Sequence, residues 1–437
     1  MTRAVGHLPS PYLGVCWPDT SWEPSMTRPT RAARSALLIP ALALAACAAR
    51  TDRPSAGADV NQLADSAFAD STGHAARLDS TLLADPGPPY RVLALPDSVR
   101  EFEMATPTGL AIRPAGACAI AVVDGRETAV HFFTLARRYL GSLFLGGHRR
   151  DALSSIGQIS MTPDGRGWVW ELGRRRLVEI NGARTGFRVL RTDSITASMP
   201  PLAAIEQVAP DRLIENWMTP SIPVPSSTWA SERLPLLRIV DTAGRYVSGL
   251  WRIADRPGLL FTHALNQGIL ARQGDTLWFA YTVSGQVLRG ILNRSREPWT
   301  IADTVRLVLP RMFTPEAPQW FREGAGPGGS ADTEVQISGF GVTDGGYLVV
   351  GQTISYPPAG DRSRLHTPLS AVTIYDPAGA FVRGWRTNGR LRQLAVGRGV
   401  LAITVDPLGD GDREIRIYRL ADVVPGMARP SGCETAK

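Results

Sequence analysis

From about Tyr90 onward the apolar residues come in short runs rich in Val, Ile, Trp and Tyr, and no long helical periodicity interrupts them. Turn dipeptides separate the runs. In ISMTPDGRGWVWELGRRRLVEIN (Ile159–Asn181) a strand arrives at Pro163-Asp164-Gly165, GWVWEL returns, Gly173-Arg174 turns again, and RLVEIN goes back. Short runs bounded by Asp-Gly and Pro-Asp are the pattern of an antiparallel meander.

Looser copies follow along the chain. GLAIRPAGACAIAVVDG leads into AVHFFTL, and IEQVAPDRLIENWM is followed by LLRIVDTAGRYVSGLW. QGILARQGDTLWFAYTVSGQVLRGIL repeats the shape, ISGFGVTDGGYLVVGQTIS continues with AVTIYDPAGAFVRGWR, and LRQLAVGRGVLAITVD leads to EIRIYRL. Met104–Ala421 thus holds roughly six copies of about 53 residues, slightly above the ordinary propeller repeat. The excess falls in Thr219–Arg233, Arg311–Thr333 and Tyr356–Pro368, read as loops because they are heavy in Pro, Gly and Ser. A single meander buries too little apolar surface to stand alone, whereas radial packing gives all copies a shared core. The pattern predicts an all-β fold, a six-bladed β-propeller over residues 90–425, with seven blades as second choice and a β-sandwich pair as third.

The order PDGRGWVWELGRRRLVEIN resembles an NHL-type blade: proline, Asp-Gly turn, aromatic strand, polar residue, basic turn, aliphatic strand. FREGAGPGG (Phe321–Gly329) is similar to the glycine-rich inter-blade segment of bacterial six-bladed β-propeller lipoproteins. The resemblance covers most of Met104–Ala421 and implies a fold and a location, with no reaction attached. A phosphate-binding reading of GAGPGG fails, because Pro327 interrupts it and no Gly-Lys-Ser/Thr or helix pattern follows.

The N-terminal quarter has a different character. Read from Met26, Arg28, Arg31 and Arg34 precede an apolar run from Ser35 to Ala45, and Leu44-Ala45-Ala46-Cys47 resembles a lipobox. Basic residues, a short apolar run and small residues in that order make a secretory signal, and the run is shorter than the ~20 residues a bilayer requires. Residues 1–25, with Pro9, Pro11, Pro18, Pro24, Trp17 and Trp22, read as a misassigned gene start. Residues 26–46 are then a lipoprotein signal, and Cys47 the lipidated N-terminus. Residues 47–89 read as a flexible tether rich in Ala, Asp, Ser and Pro, and 426–437 as a C-terminal tail. Such a chain is anchored to a membrane of the bacterial envelope and faces the periplasm or the exterior.

Charge changes little in this picture. The formal net charge of +7 comes almost wholly from arginine, since Lys437 is the sole lysine. Basic clusters with interleaved aromatics, which a single-strand binder needs, do not occur; Arg174-Arg175-Arg176 is a lone triplet at a turn, and nucleic acid is excluded as a partner. Outside the leader, Cys118 and Cys433 remain, and two readings stay open: a disulfide joining the tail to the first blade, or two free thiols.

Candidate chemistry lies at the ends of the second strand of each copy. Asp124, Glu171, Asn216, Tyr281, Gln352 and Asp406 fall at matching ends and are read as a channel ring. A ring of acids and amides suits a hard cation such as Ca2+, with Glu171, Asn216 and Asp406 as ligands and the metal polarising a carbonyl. The competing reading makes the same residues caps of strand ends. His74, His131, His148, His263 and His366 are scattered, without metal-ligand pairing, and no Gly-x-Ser-x-Gly elbow occurs. The recurring tryptophans, among them Trp168, Trp170, Trp278 and Trp385, read as packing between blades. Two functions follow. The first is a binding or scaffolding module for an extracytoplasmic protein or ligand, without a cofactor. The second is a calcium-dependent, lactonase- or esterase-like hydrolase.

Overall fold

In a computed structural model of the chain the described residues lie between Arg77 and Met427, with interruptions at several linkers. Two short strands come first, β1 (Arg77–Asp79) and β2 (Arg91–Leu93). The first complete sheet is β3 (Pro107–Arg113), β4 (Ala119–Asp124), β5 (Ala129–Thr134) and β6 (Tyr139–Phe144). The second is β7 (Ile156–Met161), β8 (Arg166–Glu171), β9 (Arg176–Asn181) and β10 (Phe187–Thr192). The third is β11 (Leu202–Ala209), β12 (Arg212–Trp217), β13 (Pro235–Asp241) and β14 (Tyr246–Arg252). The fourth is β15 (Gly268–Gln273), β16 (Thr276–Tyr281), β17 (Gln286–Asn293) and β18 (Thr300–Val308), followed by the short β19 (Arg311–Phe313). The fifth is β20 (Val335–Val342), β21 (Leu348–Ile354), β22 (Leu369–Tyr375) and β23 (Phe381–Arg386). The sixth contains β24 (Gly389–Gly397), β25 (Val400–Pro407) and β26 (Glu414–Arg419), with the single-turn α1 (Leu420–Val423) after it.

Among the described residues these strands form six four-stranded antiparallel sheets, each built from neighbours in sequence except the sixth. There the fourth place is taken by β2, antiparallel to β26 with Val92 opposite Arg416, so the two ends of the folded region meet in one sheet. First strands touch in sequence, β3 to β7, β11, β15, β20 and β24, and β24 returns to β3. A closed circuit of first strands is the propeller arrangement, which leaves only short edges exposed. Inner strands come very close where glycine allows it: a Cβ on Gly339 would stand 2.4 Å from the Leu394 Cβ.

The core is divided among the sheet-to-sheet faces. Val130 and Phe132 of the first sheet pack with Val169 and Val178 of the second. Trp168 and Trp170, which flank Val169, point the other way, onto Leu213 and Val240 of the third. Phe279 faces back to Ile239, while Trp278 faces forward to Val350 and Tyr375. Val372 and Trp385 then meet Leu401 and Ile403. Side chains alternate across a strand, so a strand between two sheets must be apolar on both faces. This is why β5 and β21 are buried at every position and are largely apolar, with His131, Gln352 and Thr353 among the buried polar exceptions. Outer strands, covered on one face only, revert to mixed patterns, as in β6 and β18. The tryptophans expected to pack between blades do so at Trp168, Trp170, Trp278 and Trp385.

Two expectations need correction. The tether, read as 47–89, ends earlier, because β1 pairs in parallel with β19 and Leu83 packs against the cluster of Ile354 and Ala371. For the same reason the loop read from Arg311 opens with a strand. Cys47, Cys118, Cys433 and the leader lie outside the described residues. No described helix is long and apolar enough to cross a membrane.

Candidate functional site

All six residues read as a ring stand on the second strand of their sheets, at the end where the first strand begins. Asp124 pairs with Pro107, Glu171 with Ile156, Gln352 with Ile337, Tyr281 with Gly268, Asn216 with Ala204 and Asp406 with Arg390. They share an end but not a phase. Five of the six sheets carry a β-bulge near the start of the first strand. Asp124, Glu171 and Gln352 occupy the pair just before it, whereas Trp217 and Val405 hold that place in the third and sixth sheets. Asn216 and Asp406 are therefore one residue out of step, which turns a side chain to the opposite face.

The polar groups at this end hold the linkers between sheets. Glu171 is fully buried; its Oε1 accepts from the Ser154 backbone N–H at 2.7 Å and from Ser154 Oγ at 2.9 Å, and its Oε2 accepts from Arg176 Nε. Arg176 also donates to the Ala152 carbonyl at 2.6 Å, so the pair pins the connection from the first sheet to the second. Burial pushes the Glu171 carboxyl up, but the hydrogen bonds from Arg176 and Ser154 outweigh it and hold the group below its ordinary value. Asn216 Nδ2 donates to the carbonyls of Leu236 (3.0 Å) and Asn266 (3.3 Å), tying down the linker before β15. Gln352 Nε2 donates to Tyr375 Oη at 2.8 Å, which donates to the Pro310 carbonyl at 2.6 Å between the fourth and fifth sheets. Thr387 Oγ1 does the same for the last linker through the Gly389 carbonyl at 2.7 Å.

As a set the three expected calcium ligands suit a cation unevenly. Both Glu171 oxygens are engaged, and Asp406 accepts from Arg392 Nε. Asn216 Oδ1 is buried and accepts no hydrogen bond among the described residues. No group of three or more His, Cys, Asp or Glu side chains that could hold a metal occurs among the described residues. Tyr281 is buried against Phe279, ring centroids 4.9 Å apart, and burial pushes its hydroxyl above the usual range. His131 is a core residue of β5, bonded through Nδ1 to Ser142 Oγ.

A second polar set lies on the inner strands and was not anticipated from the sequence. Glu206 of β11 accepts from Ser160 Oγ of β7 at 3.2 Å, and its Oε1 stands 3.9 Å from Arg272 Nε of β15. Three consecutive sheets thus each contribute one polar side chain. About 26% of the Glu206 side chain is solvent-accessible, on a first strand that touches those of the second and fourth sheets. Burial raises its pKa to about 7, with Arg272 and Ser160 pulling only partly the other way. The signal was a lone charge inside the apolar stretch LAAIEQVA, which reads equally well as the outward residue of a half-exposed strand.

No protein-family model matches the chain, and no curated protein does. Many solved structures share part of its layout. A member of the DUF4221 family from Bacteroides vulgatus aligns with TM-score 0.46 and 10% identity over 76% of this chain and 98% of that one. A gluconolactonase from Xanthomonas campestris aligns with TM-score 0.39 and 13% identity over 76% and 96%. Regucalcin from Agrobacterium tumefaciens, a calcium-binding protein, aligns with TM-score 0.39 and 12% identity over 78% and 95%. Likenesses of this strength carry no argument about activity.

Proposed function

We propose that this chain is an envelope lipoprotein, anchored through lipidated Cys47, whose six-bladed NHL-like propeller is a binding module for an extracytoplasmic protein or ligand. The observation that supports the reading is the use made of the strand-end polar groups. Glu171, Asn216 and Thr387 spend hydrogen bonds on inter-sheet linkers, and Gln352 supports one through Tyr375, which makes that end a rigid platform for the long linkers it carries. Rigid scaffolds with variable loops are the usual setting for recognition. Function on such a fold lives in the site, not in the architecture.

A second reading, a calcium-dependent hydrolase using Glu171, Asn216 and Asp406, is favoured by one observation, the unpartnered Asn216 Oδ1. Melting the full chain in EDTA and then in millimolar calcium separates the two. A ligand at a hundred times its Kd stabilises by about 2.7 kcal/mol, a shift of a few degrees for a domain of this size. The module reading expects no shift. A rise abolished by Asn216→Ala would replace it with the hydrolase and direct the search to esters and lactones.

A further inference from the structure

The inner-strand pair is built unlike the strand-end groups. Arg272 spends Nη1 on the Gly274 carbonyl at 2.9 Å, while its buried Nε–H meets no acceptor. Glu206 Oε1, the nearest carboxylate oxygen, is 3.9 Å away, beyond hydrogen-bond range. The Nε/Nη2 edge of the guanidinium is therefore unused, and a guanidinium edge of this kind receives a carboxylate with two parallel N–H···O bonds. Both side chains keep about a quarter of their surface accessible, 23% for Arg272 and 26% for Glu206, so the pair borders solvent although Nε itself is covered.

We propose that Glu206 and Arg272 form an axial site for a small monocarboxylate anion, taken up together with one proton on Glu206. In the complex Arg272 donates Nε–H and Nη2–H to the anion, and the protonated Glu206 donates its O–H to one anion oxygen. No covalent bond changes. Ionised Glu206 instead repels the anion and competes for the same guanidinium edge. From β7 Glu206 faces Ser160, from β15 Arg272, and across β12 its ladder partner is the apolar Ile214. Arg272 is the charged group acting on it among the described residues, and its raised pKa of about 7 puts the proton within reach under mildly acidic conditions. This site is independent of whether the platform end binds a partner or calcium.

The test is calorimetric titration of the full chain with sodium acetate at pH 6 and pH 8, at one ionic strength. The protonated fraction of a group titrating near 7 falls from about nine-tenths to about one-tenth over that interval, so the apparent affinity falls roughly tenfold. Glu206→Gln, a permanent donor, binds acetate equally at both pH values. Arg272→Leu loses binding at both, and Arg272→Lys, which keeps the charge without the planar edge, weakens it. Neutral acetamide does not bind. Wild-type binding that is equal at pH 6 and 8, retention in both Arg272 variants, acetamide binding as strong as acetate, or no heat from acetate at pH 6 would each overturn the proposal.

Discussion

Glu171 with Arg176 and Glu206 with Arg272 are the same two chemical groups in two settings. The first pair belongs to adjacent strands of one sheet, where Glu171 lies directly opposite Arg176 in the β8–β9 ladder. Ladder register fixes that geometry, and two further donors from Ser154 complete it. Its carboxylate is accordingly held ionised. The second pair bridges two sheets, β11 and β15, whose spacing is set by side-chain packing rather than by a hydrogen-bonded ladder. The gap is 3.9 Å, one hydroxyl reaches the carboxylate, and its pKa rises to about 7. A charge pair inside a ladder is structure. A charge pair between sheets keeps unused hydrogen-bonding capacity, and that capacity is what a ligand needs.

The comparison breaks most visibly on the ladder side. Arg176→Met leaves Glu171 buried and unpaired, and loss of one partner from such a pair costs about 3–5 kcal/mol. Urea unfolding of the variant should show a loss of that size; a cost under about 1 kcal/mol would place Glu171 outside the structural role given to it.

The inter-sheet pair should respond in the opposite direction. A carboxyl whose folded pKa lies above its ordinary 4.5 stabilises the fold fully below 4.5, and that contribution is lost as pH rises through about 7. Glu206→Gln removes the titration, so the variant gains on the wild type between pH 5 and pH 8. The gain is at most about 3 kcal/mol. Parallel melting curves at the two pH values check it, and a constant difference between the proteins would contradict it.

Much of this architecture is legible in the sequence, and the reasons are physical. Strands such as GWVWEL and WFAY announce themselves because burial on both faces demands unbroken apolar residues. The shared end of the six ring residues also follows from the repeat, since equivalent strands end together. Their phase does not follow. Where the bulge falls relative to the polar residue leaves no composition signal, so Asn216 and Asp406 align with Glu171 in the text but sit one residue away from its place in the ladder. The parallel pairing of β1 with β19 joins segments far apart in sequence, neither with a distinctive pattern. Glu206 is not legible because alternation alone does not say whether a polar residue faces bulk solvent or the polar side chains of neighbouring first strands.

Both carboxyls can be followed at once by NMR titration of the full chain carrying 13C-carboxyl glutamate, with Glu171→Gln and Glu206→Gln used for assignment. Glu206 should titrate near pH 7 and Glu171 below 4.5. A Glu206 that titrates at or below 4.5 would mean a closed ion pair with Arg272, and the distinction between ladder and inter-sheet charge pairs would fall.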